Sequence, residues 1–244
     1  MNSMLRLIIR KFHLSIAIIG LFFGLLILMP ETAQADTSVV LDTANDLVKV
    51  ATVYKTQPNT QTEVLSKVLE FEESTLPQTP GFVNSSILKG QEGTEVVVLS
   101  QWQDLSSFEA YSQEYSKDLP DSDRPQTFIF EVQKAETRGL KPAIAESGAI
   151  MFSQFKMKDS EKQSELAGII EQVMPTAFAT VPGLQWAAMS PSTDKSTIAM
   201  IAQWNSRKDF ESLGQNAGFD EETNYWQTYA DNEHDIFDVV KIIR

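Results

Sequence analysis

The sequence predicts an α+β protein built from two successive β-α-β-β-α-β units whose antiparallel sheets pack against each other. Three observations carry that prediction. A long-period repeat runs through the chain: Trp102 returns as Trp204, Phe108 as Phe210 and Glu109 as Glu211, each displaced by 102 residues. The stretches TEVVVLSQW (94–102) and TIAMIAQW (197–204) are apolar on both faces until their last residues. A strand reads that way when helices cover one side and a second sheet covers the other. Finally, a capping-box pattern opens the first helix of each unit, TQTE at 60–63 and SEKQ at 160–163.

The elements follow in order. LVKVATVYKTQ (47–57) is a strand with Val48, Val50, Thr52 and Tyr54 on one face. The helix after it stacks Val64, Val68 and Phe71 on one stripe, and its counterpart stacks Leu166, Ile170 and Val173. Pro80-Gly81 and Pro182-Gly183 mark the turn into the second strand. The third strand alternates Val96, Val98 and Trp102 against Val97, Leu99 and Gln101. Asp104 and Ser206 are suited to cap the second helix of each unit. The last strands match as IFEVQK (129–134) and IFDVVK (236–241), now displaced by 107 residues. The domains are therefore expected at 47–134 and 148–244, joined by a linker at 135–147 that contains Gly139 and Pro142. FDEETNYWQTYADNEHD (219–235) is expected to add a helical turn in the second unit.

The amino-terminal segment is different. Arg6, Arg10 and Lys11 precede an apolar run from Leu14 to Met29, then Pro30 and the triplet Ala33-Gln34-Ala35. This is the layout of a secretory signal peptide over residues 1–35, cleaved before Asp36; an uncleaved membrane anchor is the alternative. The expected location is periplasmic or secreted. With 20 basic and 33 acidic residues the chain carries −13, which argues against nucleic acid or an anionic membrane surface as partner. Cysteine is absent, so no disulfide framework supports the fold.

The residues offer little conventional chemistry. Beyond the signal segment His234 is the one histidine; it could serve as a general base, but its neighbours Glu233 and Asp235 suggest instead a solvated turn before the last strand. A metal is not expected, because no histidine or cysteine cluster has ligand spacing. The carboxylates of FEES (71–74) and DEE (220–222) read as solvated helix faces. Trp102 and Trp204 either close the ends of their cores or line a cavity between sheet and helices. Residues then expected beside such a cavity are Thr52, Tyr54, Ser100 and Gln101 in the first copy, and Gln154, Gln203 and Trp186 in the second, the more aromatic half.

The Pro-Gly-Phe turn, the strand ending in QW and the helices opening DLSSFEAY and SRKDFESL resemble the antibiotic biosynthesis monooxygenase family of the dimeric α/β-barrel superfamily. The resemblance implies ferredoxin-like domains paired sheet to sheet, here as a pseudo-dimer within one chain. It further implies an oxygenase that needs no cofactor and acts on a quinol-like or polyphenolic substrate. A haem-degrading branch uses an Asn on the first strand, the Trp ending the third and a His on the second helix. Only the tryptophan carries over, as Trp102 and Trp204; Thr52, Ser153 or Gln154, Tyr115 and Thr223 stand near the other positions. Three functions stay open: cofactor-independent monooxygenase, non-catalytic binder of a small apolar or aromatic molecule, and structural or interaction protein with filled barrels.

Overall fold

The computed structural model describes residues 39–116, 125–139, 141–145, 149–215 and 225–244. The expected signal segment (1–35) and residues 219–224, with the DEE stretch and Thr223, lie outside these residues. After a short strand β1 (Val39–Val40), the first half runs β2 (Val48–Lys55), α1 (Gln61–Thr75), β3 (Phe82–Gly90), β4 (Glu95–Trp102), α2 (Leu105–Ser116) and β5 (Gln126–Phe130). β6 (Lys134–Thr137) and β7 (Ala143–Ile144) follow. The second half repeats the order as β8 (Ala149–Met157), α3 (Gln163–Thr180), β9 (Leu184–Pro191), β10 (Thr197–Trp204), α4 (Arg207–Glu211) and β11 (Ala230–Ile243). In both halves the sheet order is last strand, first, third, second: β5-β2-β4-β3 and β11-β8-β10-β9.

The halves are joined by exchanging their last strands. Ala230 to Phe237 of β11 pair with β8, and Phe237 to Ile243 pair with β3 of the first half. β5 pairs with β2, and its continuation β6 pairs with β9 of the second half. Part of the expected linker is therefore a barrel strand. Amides of Thr193, Glu131 and Gln133 donate to carbonyls of Ile129, Pro191 and Met189, so the ladder is unbroken between β5 and β6. The sheet closes on itself and leaves no long edge to pair with another chain.

Alternation along each strand sorts side chains to the inside or outside of this barrel. Inside, Val53, Val97 and Leu99 from the first half meet Ile150, Phe152, Trp186 and Phe237 from the second. The barrel interior is a packed core. The β1–β7 pair covers it further with Val39, Leu41 and Ile144, all buried, and the Leu41 amide bonds the Pro142 carbonyl at 2.7 Å. Outside, each half has its own sheet-to-helix core, around Trp102 and around Trp204.

The helix starts differ in detail from the capping boxes expected. Thr60 makes no side-chain cap, and Asp159 rather than Ser160 accepts an amide, that of Glu161. The repeated feature at this point is a glutamine. Gln61 Nε2 donates to the Gly90 and Glu95 carbonyls at 2.7 and 2.9 Å, and Gln163 Nε2 to those of Ser192 and Thr197 at 3.0 and 2.9 Å. Each ties the first turn of its helix to the hairpin beneath. Asp104 and Ser206 do cap the second helices, accepting the amides of Ser107 and Asp209.

The Pro-Gly turns bring backbone close to those same caps. Gly183 has φ +86°, and a Cβ there would lie 2.4 Å from Asp209 Cβ. Gly183→Ala combines a left-handed strain with that clash, so a loss of ~2–3 kcal/mol is expected. Thermal unfolding would show it as a fall of ~4–10 °C; an unchanged midpoint would mean the turn can rearrange freely.

Candidate functional site

The two tryptophans close the same strand in each half but meet different surroundings. Trp102 is fully buried; its Nε1 donates to Ser100 Oγ at 3.0 Å. Phe82, Phe108 and Tyr111 surround its ring at centroid distances of 5.6, 5.6 and 4.9 Å. Tyr111 in turn hydrogen-bonds Glu72, a carboxylate only 3% exposed whose Oε2 has no partner among the described residues. Burial pushes Glu72 up to about 7, and the Tyr111 bond offsets only part of this. Tyr54 stands near the same carboxylate, and burial raises its phenol well above the usual range. Glu72 belongs to the stretch expected as a solvated helix face; it points inward because it falls on the buried stripe with Val68 and Leu76.

At the corresponding places of the second half, 102 residues on, Leu184 replaces Phe82, Met174 replaces Glu72 and Leu213 replaces Tyr111. Two aromatic side chains that fill the first site are thus smaller aliphatic ones in the second, and the carboxylate is an apolar side chain. A cavity of about 400 Å³ opens there between the sheet and α3, lined among others by Met151, Phe155, Ile170, Met174, Met200 and Trp204. Tyr225 and Trp226, from the turn before β11, complete its aromatic wall. Trp204 is 2% exposed, and its Nε1 has no hydrogen-bond partner among the described residues. Burying an indole N–H without a partner is costly.

The polar edge of the cavity comes from the two central strands. Ser153 on β8 and His234 on β11 are directly paired, with Asn232 two residues before. Asn232 Nδ2 donates to Ser153 Oγ at 2.7 Å and to the Gln154 carbonyl at 3.3 Å, while its Oδ1 lies 3.0 Å from His234 Nδ1. His234 is exposed as expected, but it lies on a strand rather than a turn, because β11 begins at Ala230 and pairs with β8 from there to Phe237. The first half has Thr52, Pro125 and Thr127 at the matching positions.

Several residues expected at a cavity lie elsewhere. Gln101, Gln154, Gln203 and Trp186 alternate with the helix-facing residues and therefore turn into the barrel. Gln101 Nε2 donates to the Val40 carbonyl at 2.7 Å, and Trp186 Nε1 to Gln203 Oε1 at 2.8 Å. Adjacent residues of a strand face opposite ways, so neither Gln101 nor Gln203 can share a site with the tryptophan that follows it. Thr52 and Tyr54 face the helices of the first half, where Tyr54 packs in the filled core. Of the residues expected, Trp204 alone lines the open cavity. Asn232, His234 and Ser153 were missed as a group; the signal was the period-two spacing of Asn232, His234 and Ile236 on one face of β11, against which Ser153 of β8 pairs.

Comparison with known proteins bears on both halves. Residues 47–115 match the model of the antibiotic biosynthesis monooxygenase family. No curated protein matches the sequence. Among solved structures, an anthrone oxidase-like protein superposes with a TM-score of 0.68 at 15% identity, covering 84% of this chain and 95% of its own. A candidate monooxygenase from Fusobacterium nucleatum subsp. nucleatum gives 0.54 at 12% identity, over 81% and 94% of the two chains. Another, from Lactobacillus acidophilus NCFM, gives 0.51 at 9% identity, over 82% and 96%. At such identities the likeness establishes the fold alone. Residues 47–115 thus match the antibiotic biosynthesis monooxygenase family, within an α+β fold that the whole described chain shares with these solved structures.

Proposed function

We propose that the second half is a cofactor-independent monooxygenase site for a flat phenolic or quinol-like aromatic, and that the first half is its filled, supporting counterpart. The carrying observation is the apolar cavity at Trp204 with one buried, unpaired indole N–H. Methionine, alanine and aromatic walls suit a planar hydrocarbon skeleton, and the indole supplies a single donor for a carbonyl or phenolate oxygen. The structural likeness to an anthrone oxidase-like protein supports this substrate class, in which a CH₂ between two rings becomes a ketone. In that reaction dioxygen adds to the substrate anion; one oxygen atom stays as the new carbonyl and the other leaves as water. The substrate itself supplies the electrons. The indole N–H holds negative charge as it gathers on the substrate oxygen, a contact made stronger by the surrounding apolar walls. The amino-terminal signal segment would carry this activity out of the cytoplasm.

Oxygen uptake by the purified chain, with chelator present and dithranol (a dihydroxyanthrone) or quinols supplied, tests the reading. Trp204→Phe should lower kcat by ~10²-fold, the scale of losing one oxyanion donor, while Trp102→Phe leaves uptake unchanged. Saturable binding with no uptake would instead make the cavity a carrier site for an apolar molecule.

A further inference from the structure

We infer that His234 Nε2 is the base that removes the substrate proton in this cavity, held in the required tautomer by Asn232 and Ser153. The inference rests on the proposed function for the substrate class and adds the group that ionises it.

The hydrogen-bond network places the imidazole proton. The Gln154 backbone carbonyl can only accept, so the group of Asn232 that faces it is the NH₂ of the amide. That places Oδ1 towards His234 Nδ1, at 3.0 Å. An amide oxygen can only accept too, so Nδ1 carries the imidazole proton, and in the neutral ring Nε2 keeps its lone pair. Nε2 has no partner among the described residues. A second bond of the same NH₂, to Ser153 Oγ at 2.7 Å, anchors the amide in place, while the Gln154 carbonyl sets which way round it lies. The ring is fixed on its other side by an edge contact with Phe210, with 5.5 Å between centroids.

Position and company agree with this role. His234 lines the same cavity as Trp204, so an aromatic lying on the apolar wall has a hydrogen-bond donor and a proton acceptor within one site. The other ionisable groups lining the cavity are Glu211 and Tyr225. Glu211 is engaged by Arg207 at 2.8 Å, and burial pushes the Tyr225 phenol up to about 12. Glu233 and Asp235 flank His234 in sequence but face the barrel side of β11, where Glu233 pairs with Lys55 and Lys156. The trio occurs only in the half with the open cavity; Thr127 and Pro125 replace His234 and Asn232 in the filled one. The step itself is balanced: the acidic C–H or O–H bond of the substrate breaks, its electron pair stays on the substrate as an anion, and the proton forms imidazolium at Nε2.

Binding of dithranol under argon separates ionisation from oxygen chemistry. At about pH 6 the wild-type chain should bind it as the coloured anion. His234→Gln should bind it with a similar Kd but as the neutral form, with ~10²-fold less anion and, in air, a kcat lower by ~10²–10³-fold. Asn232→Ala should keep the anion but move the midpoint of its pH titration, a change that loss of packing alone would not cause. Equal anion yield in wild type and His234→Gln overturns the inference while leaving the oxygenase reading intact. Anion formation without oxygen uptake does the reverse. Absence of binding removes both.

Discussion

Replacing Glu72 with methionine, the residue already present at the matching place in the second half, is expected to stabilise the protein by ~2–3 kcal/mol more at about pH 8.5 than at about pH 5. The cause is the buried carboxyl, raised by burial from its ordinary value of 4.5 to about 7. Below the unfolded value the folded and unfolded chains are both protonated, and Glu72 costs nothing electrostatically. As pH rises past that value the unfolded chain loses its proton while the folded one retains it, so stability declines. The decline is complete once pH has passed the folded value of about 7. Methionine removes the titration altogether. At low pH the variant forfeits the Tyr111 hydrogen bond, worth ~1 kcal/mol, so its advantage emerges only in base. Urea unfolding at the two pH values measures the effect; parallel shifts at both would show that Glu72 is not buried as an acid.

Phe237→Ala should cost ~3–5 kcal/mol and should weaken both halves together. Phe237 is fully buried, faces Phe152 with 6.2 Å between centroids, and pairs with Ile150 on one side and Gly90 on the other. It stands where β11 passes from one half to the other, so the cavity it leaves opens into the shared interior. Circular dichroism and tryptophan fluorescence should therefore lose signal in a single, coincident transition in wild type and variant alike. Two separated transitions would show that the halves fold independently and that strand exchange contributes little.

Much of this architecture was legible from residue patterns. The repeat of Trp102 at Trp204, the Pro-Gly turns and the doubly apolar third strands are local signals, and they led to paired β-α-β-β-α-β units. The strand exchange is not local: nothing in IFEVQK or IFDVVK says that half of each strand pairs with the other unit. The site was less legible for a similar reason. Whether the space beside a tryptophan is filled depends on three residues from three elements, Phe82, Glu72 and Tyr111 against Leu184, Met174 and Leu213. Glu72 sits among other acidic residues and reads as a surface charge until helix and sheet are docked. His234 sits between two acids and reads as a turn until its pairing with Ser153 is seen. The glutamines could have been placed correctly, since alternation already puts Gln101 opposite Trp102.

The junction by strand exchange has a consequence for how such a protein changes over generations. When two identical chains form a barrel, each substitution strikes both pockets at once, and a tyrosine that plugs one plugs the other. Here one chain encodes both walls separately, so Tyr111 can plug one cavity while Leu213 leaves its twin vacant. The plugged side is free to accumulate residues chosen for rigidity, and the open side residues that keep its space. Because the two sides share a single interior, however, neither can be discarded: the filled half remains under selection for as long as the open one is needed.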